Sequence, residues 1–201
     1  MKLALFDFDG TITTKDSLIQ FIKYAVGPRK FYFGMAKLLW TLIQYKLGFL
    51  PNYLAKERLI SLFFAGWEYK DFQKIGDKYS THQIDKITKV EAMERIAWHK
   101  SEGHKVVVVS ASMENWLKAW CDRNGLDLIG TKLEIVSDKL TGKFSTKNCY
   151  GIEKVNRLKE TFELDQFDYI YAYGDSTGDK ELLEVADQKF FRSFTNPRYK
   201  I

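Results

Sequence analysis

Two short acidic clusters hold the residues best suited to chemistry. The first is Asp7-Phe8-Asp9-Gly10-Thr11, which closes an apolar run that starts at Leu3. Period-two alternation along an extended chain points Asp7 and Asp9 to the same side. Two carboxylates in one cleft repel unless a cation lies between them or one is protonated. One then serves as nucleophile or metal ligand and the other as acid/base, unless the pair is merely structural. The second cluster is Gly174-Asp175-Ser176-Thr177-Gly178-Asp179, just past an aromatic run at 169–173. If Asp7, Asp9, Asp175 and Asp179 converge, their oxygen-only donor set favours Mg²⁺. Ser110 ends the run Val106-Val107-Val108-Val109, either bringing a hydroxyl to the same edge or capping the next helix. Lys154 lies on a helical pattern over 151–162, either near an anion-binding helix start or as an ordinary surface lysine.

The elements that must position these residues alternate as in an α/β chain. Residues 3–8 and 105–109 read as buried parallel strands, 169–173 as a third and 189–191 as a short last one. Helices are predicted over 113–123, 151–162 and 180–186, with short strands around turns in 127–144. In open α/β sheets ligands gather at the carboxyl ends of strands, where all the acids fall. The first crossover is the anomaly. A βαβ unit takes about 30 residues, yet the next clear strand starts near 105, so a helical segment of about 70 residues is inserted.

Composition narrows the class. The chain has 201 residues, 45% hydrophobic and 28% charged, ordinary for a globular protein and unlike a disordered or fibrous one. Cys121 and Cys149 are too few for a disulfide framework. The start turns acidic at Asp7 before a signal-length apolar run can form, so the reading is a reducing, cytoplasmic compartment. Residues 1–100 hold 16 Lys/Arg against 10 Asp/Glu, and within 15–66 eight basic residues face only Asp16 and Glu57. Such a segment suits an anionic partner: a phosphorylated substrate, an acidic membrane surface or nucleic acid. Its basic residues are spread through apolar helices rather than clustered, which argues against nucleic acid.

In their order along the chain, Asp7-Phe8-Asp9-Gly10-Thr11, Ser110, Lys154 in Gly-Ile-Glu-Lys, and Gly174-Asp175 with Asp179 resemble the haloacid dehalogenase (HAD) superfamily, over residues 3 to about 190. The phosphoserine-phosphatase-like branch is the nearest in pattern. The resemblance implies an α/β fold: a Rossmann-like parallel sheet core (1–14 and 85–201) with a helical cap (15–84) inserted between the first strand and the second motif. It implies a Mg²⁺-dependent phosphatase in which Asp7 forms an aspartyl-phosphate and Asp9 acts as general acid/base. Mg²⁺ would be held by the Asp7 carboxylate, the Asp9 main-chain carbonyl and Asp175, with Asp179 supporting through water. Ser110, the Ala111 N–H, Thr11 and Lys154 would bind the phosphoryl group. Because the family's dehalogenases lack the second acid, Asp9 favours phosphate transfer.

Within the cap, 14 of the 20 residues from Phe31 to Leu50 are apolar. Lys37, Thr41 and Gln44 form a narrow polar stripe, which predicts a packed amphipathic helix. Interfacial contact with a membrane is the alternative, and Lys37 and Lys46 weigh against a span. The basic, aromatic cap and the segment Asn148–Lys154 are similar to those of C-type phosphatidylglycerophosphatases. The substrate implied is thus a small phosphorylated metabolite or a lipid phosphate such as phosphatidylglycerophosphate. Gly178 before the second acid departs from the phosphoserine phosphatase pattern. The alternative function is a catalytically silent module that binds an anionic membrane surface or a protein through the basic cap. His82, His99 and His104 lack metal-ligand spacing and read as surface or loop residues; Cys121 and Cys149 read as packing thiols, Trp116 and Trp120 as one buried helix face.

Overall fold

The first apolar run becomes the middle of a sheet. In the computed structural model, which describes residues 1–195, β1 (Lys2–Phe6) lies between β2 (Lys105–Met113) and β6 (Tyr169–Gly174). Leu3 to Phe6 have no exposed surface, as expected of a strand covered on both faces. With β3 (Asp127–Thr131) and β7 (Gln188–Phe191) outermost, the order is β3-β2-β1-β6-β7, and every pair is parallel. Phe6 is in register with Val108 on one side and Tyr173 on the other, so three strands deliver their carboxyl ends to one edge. The fold is therefore the expected α/β, Rossmann-like one. An antiparallel hairpin, β4 (Leu133–Val136) and β5 (Lys139–Phe144), stands apart from the sheet.

The long first crossover is helical. It holds α1 (Ser17–Val26), α2 (Pro28–Lys37), α3 (Leu39–Lys46), α4 (Asn52–Phe64), α5 (Tyr69–His82) and α6 (Val90–Ser101). Asp16 caps α1 by accepting from the Ile19 N–H at 3.0 Å, and Gly27-Pro28 breaks α1 from α2. The remaining helices are α7 (Glu114–Asn124), α8 (Ile152–Thr161) and α9 (Lys180–Glu184).

Helices α1–α5 meet the sheet layers on two sides. At Gly76 of α5 a Cβ would lie 2.5 Å from the Asn115 carbonyl of α7, so only glycine permits this approach. Beside it the Gln73 side chain donates to the Asn115 main-chain carbonyl and accepts from the Asn115 side-chain amide. On the other side α4 meets the hairpin, with Ser61 donating to the Gly142 carbonyl and Glu57 accepting from the Phe144 N–H. A continuous apolar cluster runs through Phe8, Phe21, Phe64, Phe72 and Trp116, and Phe21 stacks on Trp116 at 4.5 Å. Trp116 and Trp120 are both fully buried, as their spacing predicts.

Two expectations need correction. The stretch 31–50 is not one packed helix: it breaks at Leu38, buries polar Thr41, and leaves Trp40 68% and Phe49 79% exposed. Among the described residues no helix is long and apolar enough to cross a membrane. His99 is not a surface residue but wholly buried. Arg95 Nε donates to the Tyr173 hydroxyl (2.6 Å), which bonds His99 Nε2 (2.8 Å), while His99 Nδ1 meets His104 Nδ1 (2.8 Å).

Burial, Arg95 and His104 push His99 down to about 3 from an ordinary 6.5. Between those values the unfolded chain holds a proton that the native ring refuses. This contribution to stability is complete above pH 6.5 and fades as pH falls toward 3. Urea unfolding midpoints at pH 7 and pH 5 should therefore converge in His99→Gln relative to the parent. The same pH dependence in both proteins would rule this out.

Candidate active site

At the end of β1 the Asp7 N–H donates to the Tyr173 carbonyl (2.9 Å), and the chain then turns sharply through Phe8–Ile12. Gly10 makes the turn possible twice over. Its φ is +88°, and a Cβ there would lie 2.4 Å from an Asp175 oxygen. The Thr11 hydroxyl donates to the Asp175 Oδ1 at 3.2 Å, and Lys89 Nζ donates to the Gly10 carbonyl. Asp175 is thereby held against the first motif.

Lys154, from the first turn of α8, is 1% exposed and so is not a surface lysine. Its Nζ lies 2.6 Å from Asp7 Oδ1 and 2.6 Å from Asp179 Oδ1. The other Asp179 oxygen accepts from the Asp175 N–H, the Ser176 N–H and the Ser176 hydroxyl. Burial opposes ionisation of Asp179, but Lys154 and these donors hold it below the usual carboxylate range. Burial opposes the ammonium too, and Asp7 with Asp179 overcome it, holding Lys154 above the lysine range. At Asp7 burial wins: despite Lys154, and aided by Asp179 and Asp9, it pushes the carboxyl up to about 7. Gly178, the departure from the phosphoserine phosphatase pattern, lies against the Tyr150 ring, which a Cβ would meet at 2.2 Å.

Asp9 is turned away from this group. Its Oδ1 accepts from the Ser17 N–H (2.6 Å) and its Oδ2 from the Ser112 hydroxyl (2.5 Å). Indole nitrogen only donates, so the chain behind Ser112 has one direction. Trp116 Nε1 donates to Ser17 Oγ (3.2 Å), and Ser17 Oγ to Ser112 Oγ (3.1 Å). Burial and the nearby charge of Asp16 nevertheless push Asp9 up to about 6.

Ser110 lies inside β2 and accepts from the Ser112 N–H (3.0 Å); the cap of α7 is Met113, so Ser110 does not fill that role. The Ala111 carbonyl receives the Lys56 ammonium (3.0 Å) from α4. Burial pulls Lys56 below the ordinary lysine value, against the attraction of Asp16 and Asp9. Sequence reasoning missed Lys56, Ser17 and Ser112. Lys56 is one basic residue among eight in its segment, and a helix spacing does not mark the one that faces another element. Ser112 had a signal, since it recurs two residues after Ser110 on the same strand face.

Asp7, Asp175 and Asp179 offer carboxylate oxygens within 4.8 Å of one another, without the Asp9 side chain. Three acids around one ammonium leave excess negative charge in a buried site, and the donors are all oxygen. That set fits a hard divalent cation.

The sequence pattern of the haloacid dehalogenase-like hydrolases matches residues 4–184. The chain belongs to that family. That makes it a hydrolase by family. Protein CicA of Caulobacter vibrioides is 34% identical over 194 residues, covering 96% of this chain and 86% of that one. A probable phosphatase of Mycobacterium tuberculosis is 28% identical, over 90% of this chain and 65% of its own. Among solved structures, a Bordetella pertussis protein of unknown function superposes with a TM-score of 0.81 at 24% identity, over 94% of this chain and 88% of that one. A phosphoserine phosphatase solved as an analogue of its phospho-aspartyl intermediate does so at 0.65 and 22%, over 94% and 84%.

Two substitutions probe the geometry. Lys154→Met strands two buried carboxylates and should cost about 3–5 kcal/mol of unfolding free energy in metal-free buffer, read by urea titration. A loss under about 1 kcal/mol would mean that the pair does not hold the site together. Ser112→Ala removes a bond that favours the ionised Asp9. The Asp9 carboxyl should then titrate above its present value of about 6 in a carbon-detected NMR experiment. An unmoved titration would exclude Ser112 as its anchor.

Proposed function

We propose that the protein is a Mg²⁺-dependent phosphomonoester phosphatase working through an aspartyl-phosphate on Asp7. The observation that carries this is the Lys154 ammonium bridging Asp7 and Asp179 beside Asp175, since it lets an anionic nucleophile approach an anionic phosphate. An Asp7 oxygen forms a bond to phosphorus as the bond to the leaving oxygen breaks, and Asp9 gives that oxygen its proton. In the second step water attacks the same phosphorus, Asp9 takes its proton, and the bond to Asp7 breaks. Ser110 and the Ala111 N–H bind phosphoryl oxygens, and Lys154 offsets the charge on Asp7 and the phosphate. Thr11 acts on this reading by holding Asp175, to which its hydroxyl donates.

The Asp7 and Asp175 carboxylates and the Asp9 main-chain carbonyl would hold Mg²⁺, with Asp179 behind them. When bound, the ion supplies charge neutralisation at the phosphoryl oxygens. Residues 15–84 act as a cap over a core of 1–14 and 85–201; residues 196–201 lie outside the described residues. The substrate is a small phosphorylated metabolite or a lipid phosphate such as phosphatidylglycerophosphate. Two buried free thiols, Cys121 and Cys149, fit a reducing, cytoplasmic location.

The test is phosphate release from p-nitrophenyl phosphate, phosphoserine, sugar phosphates, nucleotides and detergent-dispersed phosphatidylglycerophosphate, with and without Mg²⁺. Asp7→Asn should reduce turnover by at least about 10³-fold with its thermal unfolding retained. Turnover unchanged in that variant would reject Asp7 as nucleophile. No release from any substrate, with vesicle binding intact, would favour the silent module.

A further inference from the structure

The outer face of α3 reverses the usual order of a surface helix, and exposed rings of α2 extend it. Thr41 and Gln44 turn inward, each 3.4 Å from an Arg58 guanidinium nitrogen, while the apolar residues turn outward. Tyr32, Phe33, Trp40, Ile43, Leu47 and Phe49 are all exposed, five of them by more than 60%. A surface helix ordinarily buries its apolar stripe and solvates the polar one. An apolar patch of this kind in a soluble domain marks an interaction site.

The charge around the patch identifies what it meets. Arg29, Lys30, Lys37 and Lys46 rim it, all exposed, and the chain has no acid between Asp16 and Glu57. The Lys37 ammonium sits over the Phe33 ring, 4.7 Å from its centre, which places a positive charge directly beside the apolar patch. Beside it, a groove of about 310 Å³ has Lys30 and Lys37 at its rim and Phe33, Phe63 and Trp67 in its walls. A second copy would bring the same uncompensated positive charge against this one. An anionic bilayer surface instead offers phosphates to the lysines and an interfacial layer to Trp40 and the tyrosines.

We propose that the α2–α3 face, apolar at its centre and basic at its rim, docks the protein onto the interfacial layer of an anionic membrane without crossing it. The docking is independent of the phosphatase reaction, and its test reads binding alone. Intact protein is sedimented with vesicles rich in phosphatidylglycerol and with pure phosphatidylcholine vesicles, while tryptophan emission is recorded. Binding is expected on the anionic vesicles only, with a blue shift that disappears in Trp40→Phe. Trp40→Ser/Phe49→Ser and Lys30→Glu/Lys37→Glu/Lys46→Glu should each weaken it by more than about tenfold. Thermal unfolding and p-nitrophenyl phosphate turnover serve as controls, because none of these residues belongs to the site around Asp7. Failure to bind anionic vesicles overturns the proposal, as does equal binding to both lipids or binding indifferent to the lysine variant. A dimer in sedimentation velocity that the Trp40/Phe49 variant disperses, with no vesicle binding, would assign the face to a second copy and overturn it too.

Discussion

A buried ammonium is tolerable only beside a carboxylate that is buried with it, and the site is organised around that condition. Lys154 comes from α8, Asp7 from the end of β1 and Asp179 from the loop after β6, elements far apart in sequence. Desolvating each charge alone costs several kcal/mol, and their mutual attraction offsets this only with good geometry and satisfied remaining valences. The second Asp179 oxygen is satisfied by three donors from Asp175 and Ser176, which gives the loop its shape. Gly10 and Gly174 leave no room for a side chain, since a Cβ at either would collide with Asp175 or Asp179.

Asp9 obeys a different constraint. It lies within electrostatic reach of Asp7 but is fastened to the inserted helices by Ser17 and to β2 by Ser112. The two acids that alternation puts on one side are therefore separated in role by their donors. Asp7 faces an ammonium and two further carboxylates; Asp9 faces hydroxyl and amide dipoles and sits near 6. Since Ser17 begins α1, any movement of that helix is felt at Asp9 directly. The insertion is thus part of the site through hydrogen bonds as well as through the Lys56 ammonium.

The reversed face of α3 shows where pattern reading fails. A stripe of Lys37, Thr41 and Gln44 beside fourteen apolar residues gives a helix with two distinct sides, and periodicity says nothing about which side looks inward. Arg58 on α4 decides it by bonding both Thr41 and Gln44. His99 is similar. Its lack of metal-ligand spacing was legible, but its burial depends on Arg95 and Tyr173 closing a hydrogen-bond chain.

The sequence by itself determined the strands, because runs such as Val106–Val109 are too apolar to lie anywhere but within a sheet covered on both faces. It also determined which acids follow strand ends, and that a long helical segment interrupts the first crossover. Those properties are local, written in residue type and spacing. Only the tertiary structure decided that Lys154 is buried between Asp7 and Asp179, that Asp9 is held by Ser17 and Ser112, that Lys56 enters the site, and which side of α3 faces solvent. Each of these depends on the partner a side chain meets across the fold, and a partner distant in sequence leaves no periodic trace in the segment that receives it.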